Sequence, residues 1–320
     1  MIDVLIVSLG GTAGLREADA ELAGSLRRAG AAVEMVAAAR PREWRTMAAI
    51  ELAWALNARR AARDGIAAFA PRAVLYSSTT AALLGPVGGA IRFDAPAAGN
   101  RPGRHGVWQR RTERARFEDA PLLVPWSEGG LAEAPKPHAD AVVVPVPVEP
   151  SGEFAERDIA AITYGANPEK KGLDRVLAAW RRDRRADETL FVARLAGNDE
   201  PGVKYLGMLS RAEYRALLRR ARVFITAPRR EDYGIAQLEA LADGCMLVTT
   251  PSPGPYAALP IAHALDPRLV SPALNVRAAL DEPSDGYAER AGTALAAFSP
   301  QEVDRVVARD LLPLLKTLAS

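Results

Sequence analysis

The sequence predicts an α/β protein made of two domains, each a parallel sheet covered by helices. Three observations predict this. Short, continuous aliphatic runs recur along the chain, at 4–7, 73–76, 190–193 and 246–249. Longer amphipathic stretches separate them, and strands without apolar–polar alternation are those buried on both faces. One stretch, Pro145-Val146-Pro147-Val148-Glu149-Pro150, interrupts the pattern, which then starts again. Three prolines in six residues cannot sit in a central strand. The 320 residues fit two domains of ordinary size.

The elements follow in order. Residues 4–7 form the first strand, and the glycine-rich segment 10–14 is a turn. A helix is expected over 17–29, with Leu22, Ser25 and Leu26 on one face and Gly30 as its stop. Strand 33–36 comes next, then a long Ala/Arg-rich helical region over 42–70. Met47, Ile50 and Trp54 fall on one side of it, with Arg45, Arg59 and Arg63 elsewhere. That division reads as packing of the apolar side against the sheet. Strands are expected at 73–76, 90–93, 121–125 and 141–144. After the proline stretch come strand 159–163, helix 172–182 and strand 190–193. Helix 211–220, strand 223–226, helix 234–242 and strand 246–249 follow. Helices over 288–297 and 300–318 close the chain.

Composition removes several classes. With 49% apolar and 25% charged residues, wholesale disorder and coiled coil are excluded as the main architecture. Net charge is +2, and only five of the 41 basic residues are lysines, with no basic block. This is an arginine-biased composition rather than a nucleic-acid signature. A lone cysteine, Cys245, cannot close an internal disulfide, so a reducing cytosol is expected. The N-terminus lacks the pattern of a secretory leader, and no apolar run approaches the ~18 residues of a membrane span. Any membrane role is therefore expected to be peripheral.

Two stretches carry chemistry. Gly10 and Gly11 lie between the first strand and the first helix, where glycines admit close backbone approach and a helix N-terminus presents free N–H groups to an anion. Their spacing does not fit G-x-G-x-x-G, although Glu34 stands at the end of the second strand. The stretch 204–250 is more informative. Glu231 follows a strand, and a helix starting at Asp232 or Tyr233 carries Glu239, with seven residues between the two carboxylates. Such a helix start offers the N–H groups of Gly234 and Ile235 to a diphosphate. The flanking carboxylates can accept hydrogen bonds from vicinal sugar hydroxyls. The chain has no Asp-x-Asp and no His/Cys cluster at ligand spacing, so no metal site is expected.

These residues resemble the C-terminal domain of glycosyltransferase family 4, retaining nucleotide-sugar transferases of the GT-B fold. Val203-Lys204-Tyr205-Leu206-Gly207 resembles its "v-x-f-x-G" strand. Pro228-Arg229-Arg230-Glu231-Asp232-Tyr233-Gly234 resembles its "p-S-x-x-E-x-x-G" loop, with Arg229 in place of Ser, and Glu239-Ala240 its "E-A". Lys171-Gly172 resembles the family's Lys-Gly, whose lysine binds the donor diphosphate. Gly165-Ala166 stands where the family carries an arginine, so Lys170, Arg229 or Arg230 would have to replace that cation. Near the chain middle the family often places a histidine facing the sugar, and Asp94 occupies that position here.

The resemblance implies a GT-B fold with an acceptor-side domain over 1–148, a donor-side domain over 149–295 and a terminal helix over 296–320 crossing back to the first. It implies a retaining, metal-independent transfer from a nucleoside-diphosphate sugar, UDP- or GDP-linked, to an acceptor hydroxyl, with no cofactor. The acceptor would be a small molecule, a glycan or a lipid. Asp94, Lys171 and Glu231 are the implied catalytic residues. Gly10, Gly11, Lys171, Gly207, Met208, Glu231, Tyr233, Gly234, Ile235 and Glu239 are the implied donor contacts. The arginine-rich segment with Arg101, Arg104, His105 and Trp108 could meet an anionic acceptor or the inner face of a membrane, and a solvated helix explains it equally well. A nucleotide-sugar epimerase or hydrolase of the same fold, or an inactive sugar-nucleotide binding protein, are the alternatives.

Overall fold

The computed structural model of the chain describes residues 1–42, 46–135, 140–153 and 155–318. It separates into two compact units. One comprises Met1–Pro147 with Pro300–Ser320, the other Val148–Ser299.

In the first unit, six parallel strands are ordered β2-β1-β3-β4-β5-β6. They are β1 (Val4–Ser8), β2 (Val33–Ala37), β3 (Ala73–Tyr76), β4 (Ala90–Phe93), β5 (Leu122–Pro125) and β6 (Asp140–Ala141). Both sheet faces are covered, which is why β1 reads as an unbroken apolar run. Val4 and Ile6 pack with Leu22, Leu26, Val307 and Leu311 on one face. Leu5 and Val7 pack with Ala58, Ala62, Phe93 and Phe117 on the other.

Several expectations need correction here. The first helix spans Ala13–Arg28, because Thr12 caps it by accepting the Leu15 N–H at 3.2 Å, one turn earlier than predicted. The long helix spans Met47–Phe69, with Thr46 as its cap. Its buried stripe is Ala55, Ala58, Ala62 and Gly65, whereas Met47 is 61% exposed. A Cβ on Gly65 would meet Leu5 and Val36 at 3.0 Å, so small residues let the helix lie close on the sheet. Arg45 lies outside the described residues.

The expected strand 141–144 is only Asp140–Ala141. The Val142 and Val144 N–H groups still donate to Leu123 and Pro125, at 2.9 Å each. Pro125 has no N–H to return, so the ladder stops there.

The terminal segment is helical from Pro300 to Thr317, but it widens into a π turn over Val307–Leu311. Pro313 accounts for this: it has no N–H for the Arg309 carbonyl, and its ring would clash there in a regular helix.

The second unit has five parallel strands ordered β11-β10-β7-β8-β9. They are β7 (Ile159–Tyr164), β8 (Leu190–Ala193), β9 (Val203–Tyr205), β10 (Ala221–Thr226) and β11 (Met246–Thr249). The chain leaves β7 toward β8 on one side and returns to β10 on the other. The carboxyl ends of β7 and β10 therefore flank a topological switch point, where open α/β sheets bind ligands. By the same rule, β1 and β3 flank the switch point of the first unit.

The sequence reading left 251–287 unassigned. It holds the helices Ala258–Leu265 and Val276–Asp281, both short and set among prolines. Helix 288–297 becomes Tyr287–Ala294 followed by a 3-10 turn, Ala296–Phe298. Cys245 is fully buried, its thiol against the Leu218 carbonyl at 3.1 Å, and burial pushes the thiol up to about 12. Among the described residues, no helix is long and apolar enough to cross a membrane.

Candidate functional site

The loops after β7 and β10 touch. After β7, Asn167 caps a short turn, Pro168–Lys171, by accepting the Lys170 N–H at 3.3 Å. Gly172 then has φ +64°, and a Cβ there would stand 1.9 Å from the Ala227 carbonyl oxygen. Only glycine permits both the left-handed backbone and that approach. The Arg229 N–H donates to the Lys170 carbonyl at 2.9 Å, joining the two loops. Both lysines are thereby delivered to the mouth of the β10 loop.

That loop is clamped from behind. The Glu231 N–H donates to the Pro253 carbonyl at 3.0 Å, and the Ala257 N–H donates to the Tyr233 carbonyl at 3.0 Å. Gly234, with φ +94°, opens the helix Ile235–Ala242, whose start is capped by no side chain. The expected start at Asp232 or Tyr233 is thus displaced by the turn at Gly234, and the first amides of this helix are left for another acceptor.

The carboxylates of the loop are buried and paired. Lys171 Nζ lies 2.6 Å from Glu231 Oε2, which also accepts from Gln237 Nε2 at 2.9 Å. Lys170 Nζ lies 2.5 Å from Asp232 Oδ2, and Arg230 Nε lies 2.8 Å from Asp232 Oδ1. Burial alone would raise the Asp232 carboxyl, but Lys170 and Arg230 outweigh it and hold the group below the usual carboxylate range. Glu231 is 4% exposed, while the Lys171 side chain remains 20% exposed. Further along the helix, Glu239 Oε1 accepts from Arg211 at 3.1 Å and from Arg215 at 3.5 Å, and Arg215 is itself fixed to Asp243 at 2.6 Å.

Beside this site, the loops after β8 and β9 form a second turn. The Arg194 N–H donates to Gly207 O at 2.9 Å, the Gly207 N–H donates to Leu195 O at 3.0 Å, and the Arg194 guanidinium reaches the Leu209 carbonyl. Arg194 itself adopts φ +66°. Met208 projects from this turn, 74% exposed.

Residues 159–275 match the family model described as "Glycosyl transferases group 1". Solved structures align over almost the whole chain. Sucrose-phosphate synthase from Thermosynechococcus elongatus is 13% identical, covering 94% of this chain and 96% of its own, with a TM-score of 0.65. WaaG, a glycosyltransferase involved in lipopolysaccharide biosynthesis, is 15% identical over 99% and 98%, with a TM-score of 0.66. An E. coli structure described as trehalose-6-phosphate bound with UDP-2-fluoro glucose is 10% identical over 97% and 99%, with a TM-score of 0.67. The fold is GT-B. No curated protein sequence matches the chain.

Within this GT-B chain, Lys171, Glu231, Tyr233, Gly234 and Ile235 lie together at the β7/β10 switch point, with Glu239 on the same helix as Ile235. Tyr233 is buried, at 3% exposure, and its carbonyl is taken by the Ala257 N–H.

The remaining candidates belong to the first unit. Gly10 O accepts from Arg16 at 2.9 Å, ahead of the capped helix start. Asp94 directly follows β4, and its Oδ1 accepts the neighbouring Ala95 N–H at 2.8 Å, the contact of a loop cap. Arg101 is paired with Glu51 at 2.8 Å, Arg104 is exposed and Trp108 is half-buried. His105 contributes its backbone to the turn Arg104–Gly106, and its side chain lies outside what is described.

Sequence reasoning missed Gln237, Asp232 and Arg215. Arg215 carried a signal, because it sits beside Tyr214 and three positions before Leu218 on the buried side of its helix. Asp232 and Gln237 carried none: Lys170 reaches Asp232 only when the two loops meet, and Gln237 reaches Glu231 only once the turn at Gly234 sets the helix start.

Proposed function

We propose that the protein is a retaining glycosyltransferase that moves a sugar from a UDP- or GDP-sugar to an acceptor hydroxyl without a metal ion. The observation that carries this reading is the Lys171–Glu231 pair at the β7/β10 switch point, beside the uncapped start of the Ile235–Ala242 helix. A diphosphate is the anion that suits a lysine next to free helix amides. Its arrival would draw Lys171 from Glu231. The carboxylate would then be released for donor hydroxyls while Gln237 keeps it oriented. Lys171 and the helix amides would stabilise the charge on the departing nucleoside diphosphate. Lys170 and Arg230, held by Asp232, supply further positive charge next to it.

Glu239 would take the ribose hydroxyls, with Arg211 and Arg215 fixing its carboxylate, and the base would lie along Gly207 and Met208. In the first unit, Gly10 and Gly11 would approach the donor, and Asp94 would face the sugar at the end of β4. Arg101, Arg104, His105 and Trp108 would serve the acceptor, with contact to a membrane surface as a further expectation. The match over 159–275 and the GT-B neighbours support transfer of a glycosyl group.

Calorimetry with UDP- and GDP-sugars tests the donor site. A hydrogen bond to a charged partner contributes about 1.5–3 kcal/mol, so Lys171→Ala and Glu239→Ala should each weaken donor binding roughly tenfold or more. Unchanged affinity in both would remove the assignment. Proton NMR of the product formed in EDTA should show the donor's anomeric configuration retained.

A further inference from the structure

The segment 94–101 follows β4 and ends in a short helix, Ala97–Asn100, whose N-cap position is Pro96, with no side-chain cap. A side chain from elsewhere does that work. Glu113, on the helix Val107–Asp119, accepts the Ala97 N–H through Oε1 at 2.6 Å. Glu113 is 3% exposed, and its second oxygen, Oε2, is buried without a hydrogen-bond partner. A buried carboxylate oxygen left bare is costly.

Another unsatisfied group lies at the far end of the same segment. Arg101 donates NH2 to Glu51 Oε1 at 2.8 Å and NH1 to the Asn100 carbonyl at 3.2 Å, but its Nε is buried without a partner. Glu51, on the helix Met47–Phe69, also accepts from Thr80 at 3.1 Å. The charged groups that act on Glu113 are Arg101, which favours its anion, and Asp94, which opposes it; Thr79 adds a hydroxyl. The Arg101 guanidinium therefore acts on the charge of both carboxylates and is hydrogen-bonded to only one of them, Glu51.

We propose that Glu113 is the positioning residue of the 94–101 segment, and that Arg101 exchanges from Glu51 to Glu113 when Glu113 loses its proton. With the proton on, Glu113 is neutral, Oε1 still holds Ala97, and Arg101 belongs to Glu51. With the proton off, Oε2 is a buried anion that Asp94 opposes and Arg101 favours, and the guanidinium can satisfy it. The exchange pulls on the end of the segment that begins at Asp94. Burial is the chief cause that pushes the Glu113 carboxyl up to about 7 from its ordinary 4.5, so the change falls near neutral pH. For catalysis this deepens the reading above, in which Asp94 faces the sugar, because the protonation state of Glu113 would set where that carboxylate points.

The test follows the Ala97 amide by 15N NMR from pH 5.5 to 8.5, without donor or acceptor. The wild-type resonance should titrate with a midpoint near 7, and in Glu113→Gln, which keeps shape and cap, it should not move. Glu51→Gln releases Arg101 to Glu113, so the midpoint should fall by half a pH unit or more. Arg101→Met removes the counter-ion, so the midpoint should rise by a similar amount. Each variant serves if the other fails to fold. A flat wild-type profile, or the same titration in Glu113→Gln, overturns the positioning role. A midpoint unmoved in the folded Arg101 or Glu51 variant overturns the exchange. Because no transfer is measured, failure of the glycosyltransferase reading leaves this result standing, and an active transferase with a flat Ala97 profile rejects this proposal alone.

Discussion

Both units bring a switch point to the carboxyl edge of a parallel sheet, and they furnish it in opposite ways. At the β1/β3 edge the charges are sealed. Arg92 and Asp19, each 1% exposed in its side chain, lie 3.3 Å apart, and Arg92 stacks over Trp126 at 4.8 Å. Ser8 and Ser77 donate to the same Asp19 oxygen at 2.5 and 2.8 Å. Burial lifts the Asp19 carboxyl above its usual range, against the pull of Arg92 and the two hydroxyls.

At the β7/β10 edge the carboxylates are equally buried, but their lysines are not. Lys171 and Lys170 are 20% and 38% exposed in their side chains. A pair sealed from solvent holds a shape, since an incoming ion does not reach either partner. A half-exposed lysine on a buried carboxylate can trade that partner for an incoming anion. The same fold rule therefore yields a structural joint in one unit and an exchangeable ion pair in the other.

Three substitutions probe this contrast, in decreasing order of effect. Asp19→Ala removes the buried carboxylate paired with Arg92 and should cost about 3–5 kcal/mol, the range for half of a buried pair, read as a lower urea midpoint. A loss under 1 kcal/mol would mean that water reaches the β1/β3 joint after all. Gly172→Ala drives a Cβ into the Ala227 carbonyl and keeps φ positive, at about 2–4 kcal/mol. It should also separate the two loops, so donor binding should fall along with stability. Retained binding would show that the lysines do not depend on that approach. Arg229→Ala breaks a 3.0 Å pair with Asp174 whose side chains are 41% and 61% exposed. It should change the urea midpoint by no more than the 0–1 kcal/mol of a surface pair. A larger effect would move part of the loop's rigidity from its main chain, where Arg229 N–H meets Lys170 O, to its charges.

Legibility in the sequence followed the range of the interaction. Strands β3, β8 and β11 and the helix Arg211–Arg220 were read to the residue, because a doubly covered parallel strand is an uninterrupted apolar run and that helix has Ser210 and Glu213 as a capping box; β4 was read to the residue too, although Arg92 interrupts its apolar run. The strand expected at 141–144 failed on its neighbour: the limiting residue is Pro125, on a different strand. Met47 was expected to pack and is exposed, because helix and sheet approach over alanines and Gly65. Within the candidate site, Lys171, Glu231, Gly234 and Glu239 were legible from spacing and resemblance. Their present partners were not, because a carboxylate's counter-ion is chosen across 24 to 60 residues of chain.

By itself the sequence determined two α/β units, the order of their strands along the chain, and the positions of the residues that can meet a diphosphate. Burial pattern and turn chemistry are local, so they survive in one dimension. The tertiary structure decided which strands lie side by side, and hence where the switch points fall. It decided that Lys171 meets Glu231, that Glu239 is held by Arg211 and Arg215, and that Glu113 closes over Ala97. Each of these depends on two loops or two helices brought together by packing, and the energy of a buried charge is fixed by the groups that surround it in space.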